Sequence, residues 1–226
     1  AGAAAVTAEW LLRGAGDRDS RRLNEALDDL GCQHHEDARS EHLVLTSAQL
    51  GRNLGKALGI YADIVRRPTL PAGAFDACRG LVAQSLDALE DEPMRMCNVL
   101  IREKFYPAPL GRNPLGHKDT LSAMTADSLS AHVRGWLTPR GTMLAGVGNV
   151  DFDELTAAVE DAFGDWSGPD PSPVETSPAV GGQTHLEKET AQAQIALAYP
   201  AATVDDDRYF AARAAQMVLS GGMGAR

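Results

Sequence analysis

The stretch Gly2-Ala3-Ala4-Ala5-Val6-Thr7-Ala8-Glu9-Trp10-Leu11-Leu12-Arg13-Gly14 decides how the rest of the chain is read. Val6, Trp10 and Leu11 recur at helical spacing and Gly14 stands where a helix stops, so the stretch reads as one buried amphipathic helix. Around it, 226 residues at 44% hydrophobic content suit one full globular domain with room for part of another. A net charge of −10 and no Lys/Arg cluster set nucleic acid aside as a partner. Cys32, Cys78 and Cys97 are odd in number and never paired as Cys-x-x-Cys, so they read as buried reduced thiols, not as a disulfide framework or a thiolate metal site. No apolar run approaches a membrane span.

Working outward, Ser20 to Leu30 reads as a helix capped by Asp19 or Ser20, with Leu23, Ala26, Leu27 and Leu30 as its apolar stripe and Gly31 as its left-handed stop. Cys32–Ala38 and His42–Gln49 read as two strands joined by the polar turn Arg39-Ser40-Glu41. This hairpin holds the one dense set of candidate metal ligands, His34, His35, Glu36 and His42. Successive strand residues face opposite ways, so His34 and His35 cannot serve one ion without a bulge, and the set reads as polar side chains on an exposed hairpin. Helices follow at Asn53–Arg66, ended by Pro68, and at Ala74–Glu90, with Phe75, Cys78, Leu81, Val82, Leu86 and Leu89 inward. After Asp91-Glu92-Pro93, Met94–Phe105 forms another, and Tyr106 to Gly116 is a Pro/Gly loop without the context of a phosphate-binding loop. A helix over Ala126–Trp136 behind a Thr125 cap, a strand over Gly141–Gly148 suited to burial on both faces, and an Asp151-capped helix to Phe163 complete this part. Beyond a Gly/Pro/Ser/Thr-rich linker, Gln192–Tyr199 reads as a strand and Arg208–Leu219 as a helix before Gly221-Gly222.

These motifs in this order resemble the M16 (insulinase, or mitochondrial processing peptidase-like) zinc peptidases, over almost the whole chain. Tyr106-Pro107, Pro109-Leu110-Gly111 and Leu115-Gly116 match that family's loop signature, and Gly2 and Gly14 frame its motif helix. In the family this helix carries Gly-x-x-His-x-x-Glu-His, in which two His hold Zn²⁺ and the Glu activates water. On that frame the first His falls on Ala5, the Glu on Ala8 and the second His on Glu9, and the third ligand, a Glu on a later helix, falls on Ser85. All four are changed, so the resemblance implies a degenerate zinc site with no catalytic residue and no metal ligand in this chain. Ser85 has no His or Asp partner at a recognisable spacing, which leaves it an ordinary helix-surface serine. The resemblance also places Cys32, Gln33, His34 and His35 on the edge strand that accepts substrate peptide.

The expected fold class is α+β, an M16 metallopeptidase-like domain with helices on a largely antiparallel sheet, plus the start of a second similar domain. Its expected divisions are residues 1–166, a linker at 167–184 and a truncated second domain at 185–226, with an open sheet edge and poor solubility where N-terminal strands are missing. The implied function is that of a non-catalytic subunit or half, which pairs with a zinc-bearing M16 partner to bind and process unfolded peptides. The alternatives are a zinc endopeptidase with a displaced site and a scaffold without substrate. Zinc is expected only in an active partner, and Glu9 is expected to be hydrated or paired with Arg13. The cytoplasm is the expected compartment, although a chain that opens inside a helix would not show an N-terminal signal.

Overall fold

Trp10 is the point on which the fold closes. Its ring is fully buried, meets Phe75 edge-on at 5.2 Å between centroids, and its indole N–H donates to the Pro71 carbonyl at 3.0 Å. It sits on α1, Ala3–Leu11, in a computed structural model that describes residues 1–170, 173–179, 181–189 and 192–220. Val6 and Leu11 are buried beside it, as the helical spacing requires. The helix ends sooner than expected: Gly14 lies past it in β1, Gly14–Ala15, which pairs antiparallel with β2, Arg18–Asp19.

Next, α2, Ser20–Asp29, starts on Asp19, whose carboxylate accepts from the Arg22 amide at 2.9 Å. It ends in a left-handed Gly31 with φ 64°, where the Gly31 and Cys32 amides donate back to Asp28 and Leu27. That stop aims the chain into β3, Gln33–Ala38, paired antiparallel with β4, Leu43–Ala48. After a 3-10 turn at Gly51–Asn53, α3, Leu54–Arg66, buries Ala57, Leu58, Ile60 and Ile64. Its Asp63, also buried, binds Arg18 at 2.8 Å and Arg67, which fastens the β1–β2 turn to the helix.

The long α4, Ala72–Glu90, buries Phe75, Cys78, Val82, Leu86 and Leu89. Leu81, expected inward, is exposed, because at about 100° per residue it lies to one side of the stripe centred on Cys78, Val82 and Leu86. Then come α5, Pro93–Phe105, the short α6, Lys118–Ser122, and α7, Ala126–Trp136, with Thr125 and Ser128 capping each other's backbone. Asp151 caps α8, Phe152–Phe163, which packs on α3. The last helix described is α9, Tyr209–Ser220, and the expected Gly221-Gly222 that follows it lies outside the described residues.

The α+β class holds, with both ladders antiparallel and α1 packed against β1, β3, α4 and α7. Two expected strands do not form: residues 141–148 and 192–199 are extended or irregular and belong to no strand ladder among the described residues. A strand exists through its ladder with a neighbour, and among the described residues neither stretch enters such a ladder. Met143 and Val147, expected inside, are 91% and 100% exposed. The chain divides into two compact units, 1–189 and the residues from 190 on. No helix among the described residues is long and apolar enough to cross a membrane.

Candidate functional site

The N-terminus of α1 is set by a crossing of two glycines. Gly2 and Gly116 have φ of 85° and 82°, and each lies where the other's chain leaves no room for a side chain. A Cβ on Gly2 would fall 2.8 Å from Leu121 and 2.9 Å from the Leu115 carbonyl, and one on Gly116 would fall 2.8 Å from the Gly2 nitrogen. The first glycine of the helical frame and the Leu-Gly that closes the Pro/Gly loop are thus one contact.

Down from that crossing, Ala5 and Ala8 are each only 7% exposed, with methyl groups that neither ligate nor exchange a proton. Glu9 points outward and accepts from Arg13 at 3.5 Å, with side chains 44% and 34% exposed, so the carboxylate finds the partner expected one turn on. Ser85 is exposed on α4, against which α1 packs, and its hydroxyl donates back to the Leu81 carbonyl at 3.0 Å. Two methyls, a carboxylate engaged with Arg13 and a back-bonded hydroxyl do not fit Zn²⁺, which takes at least three protein ligands. Elsewhere among the described residues, no three His, Cys, Asp or Glu side chains gather as a metal site.

The hairpin carries more structure than an exposed polar ribbon. His34 and His35 face opposite sides, as strand geometry requires, and His35 and His42 are exposed. His34 and Glu36, in contrast, lie on the inner side with side chains only 20% and 11% exposed, and His34 Nδ1–H donates to Glu36 Oε1 at 3.0 Å. They are enclosed because the same side of the hairpin carries Cys32, Ala38, Leu43 and Leu45, which pack on the core. Ser47 stands directly across from His34, and Tyr61 of α3 reaches in to donate to the Thr46 carbonyl at 3.4 Å. Burial pushes the Tyr61 phenol above its ordinary pKa, the hydrogen bond with Ser47 opposes this, and Glu36 and Cys32 add to it. Sequence reasoning missed Tyr61 and Ser47. The two-residue turn at Ser40-Glu41 fixes the register that would have found Ser47.

That register also decides which backbone groups are free. The Arg39 amide donates to the His42 carbonyl at 2.9 Å, so the hydrogen-bonded pairs alternate from there through Asp37, His35 and Gln33. Thr46 Oγ1 donating to the His35 carbonyl at 3.0 Å agrees. The N–H and C=O groups of His34, Glu36 and Ala38 therefore point to the other edge of β3, where no strand pairs among the described residues. Of the four residues placed on this edge by resemblance, Cys32 is buried, Gln33 and His35 direct their amides toward β4, and His34 faces the open edge.

A family model described as the peptidase M16 inactive domain matches residues 123–226. An uncharacterized zinc protease of Streptomyces coelicolor is 26% identical over 227 residues, spanning 96% of this chain and 49% of its own. The solved peptidase M16 inactive domain from Pseudomonas fluorescens superposes with a TM-score of 0.74 at 18% identity, over 99% of this chain and 56% of that one. Residues 123–226 thus match the M16 family, and almost the whole chain is similar to M16-type zinc proteases. The first half of the periplasmic protease PqqL from Escherichia coli shares this fold too, with a TM-score of 0.67 at 18% identity, over 79% of this chain and 40% of that one. The chain spans about half the length of the curated relatives it matches.

Proposed function

We propose that this chain is a non-catalytic M16 half, which pairs with a zinc-bearing M16 subunit or domain and holds extended peptide for it along the open edge of β3. The observation that carries the reading is α1: its frame is kept to the Gly2–Gly116 crossing, while the positions that would do chemistry are Ala5, Ala8 and Glu9. A helix held this closely without reactive groups fits a surface used for binding, since function is argued from the site and not from the fold. The free N–H and C=O groups of His34, Glu36 and Ala38 support the second part, because an added strand takes its affinity from such an edge. In this reading zinc resides in the partner, Cys32 to His35 begin the peptide-binding edge, and the chain divides into a first domain over 1–166, a linker over 167–184 and a second domain from 185. The test is to mix the full-length protein with a zinc-bearing M16 partner and follow peptide hydrolysis and co-elution. Hydrolysis well above that of the partner alone, with a complex in size-exclusion chromatography, is the expected result. An unchanged rate with no complex overturns the proposal.

A further inference from the structure

We propose that strand docking on the open edge of β3 is linked to proton uptake by the His34–Glu36 pair, so that this surface binds extended peptide more tightly in mildly acidic conditions. The inference rests on the peptide-binding role proposed above and adds its regulation.

The pair and the edge are the same two residues. His34 and Glu36 offer their backbone groups outward while their side chains meet at 3.0 Å on the inner face of the strand. A strand laid along β3 sets its own side chains beside theirs and removes the water that reaches their remaining 20% and 11% exposure. What that desolvation costs depends on the proton. With His34 neutral the pair carries one net negative charge, whereas with the imidazole protonated the charges cancel, and taking a lone charge out of water costs more than taking out a bonded pair. Docking therefore favours the protonated pair, and by linkage affinity rises as pH falls. Imidazole is the side chain that changes charge between about pH 5 and 8, which sets the window.

The surroundings contain few competing charges. β4 contributes no titratable side chain. On α1 the only one is Glu9, already engaged with Arg13. From α3 comes the Tyr61 phenol, whose raised pKa keeps it neutral throughout this window, and just before the strand the buried Cys32 thiol; His35 and Asp37, on the strand itself, face the other side, where Asp37 pairs with Arg39.

The probe is a short synthetic peptide with blocked ends and no titratable side chains, titrated calorimetrically into the full-length protein at about pH 6 and pH 8 in buffers of different ionisation heat. The expected result is affinity up to about tenfold higher at the lower pH, the effect of roughly one unit of proton affinity, with uptake of about half a proton per peptide near neutrality. His34→Gln keeps a donor for Glu36 but cannot titrate and should flatten the profile, while His42→Gln, exposed at the turn and outside β3, should retain the slope. Binding without proton uptake and with equal affinity at both pH values overturns this inference and leaves the peptide-binding role standing. Absence of binding at either pH overturns both.

Discussion

A methyl group added at Gly2 or Gly116 meets backbone or a buried leucine, and both residues hold positive φ. Gly2→Ala and Gly116→Ala should each cost about 2 kcal/mol or more, combining conformational strain with overpacking. Gly59, exposed in the middle of α3 with nothing near its missing Cβ, is the contrast: Gly59→Ala should stabilise by about 0.5–1 kcal/mol. Urea midpoints of the three variants check both signs. At Ala5, Ala8, Glu9 and Ser85 the expectation concerns metal: the purified chain should hold no stoichiometric zinc by elemental analysis. Tight zinc binding lost on Glu9→Gln would revive the peptidase alternative. The Glu9–Arg13 pair was legible in the sequence, because i,i+4 neighbours on a helix meet whatever the rest of the chain does. The His34–Glu36 pair was not. Alternation puts both on one side of the strand, but only the packing of Leu43, Leu45 and Cys32 shows that this side faces the core.

For whole elements, legibility followed how local each one's cause is. Stripe and cap lie within a dozen residues for α2, α7 and α8, and Asp19, Thr125 and Asp151 accept the amide bonds that their positions imply. Residues 141–148 carry a strand's composition, yet their pairing depends on segments elsewhere, which no local pattern supplies. Between α3 and the hairpin, Tyr61 makes a contact sensitive to alkali. Its phenol is held neutral by burial, so the unfolded chain gives up this proton first, near pH 10. The stability tied to Tyr61 is therefore fully present below about pH 10 and is lost as pH rises through the folded-state pKa. Tyr61→Phe should remove that part of the alkaline loss, measured as the change in urea midpoint between about pH 8 and pH 10.5.

Across the molecule, large apolar side chains are exposed on α9 and also on residues 141–148, which enter no ladder among the described residues. Met143 and Val147 stand almost wholly in solvent on an unpaired extended stretch, the arrangement that invites strand-to-strand aggregation. Val147→Lys should raise the concentration reached before light scattering appears and leave the unfolding midpoint within about 0.5 kcal/mol, since the side chain touches little. If solubility does not change, the aggregating surface lies elsewhere.

The crossing of Gly2 with Leu115 and Gly116 also governs the order in which this chain can assemble. Helix α1 finds its seat only when a loop from far later in the sequence has arrived, and until then Val6, Trp10 and Leu11 have only part of their final surroundings. A contact of such long range is slow to close, and it leaves apolar surface uncovered on a nascent chain for much of its synthesis.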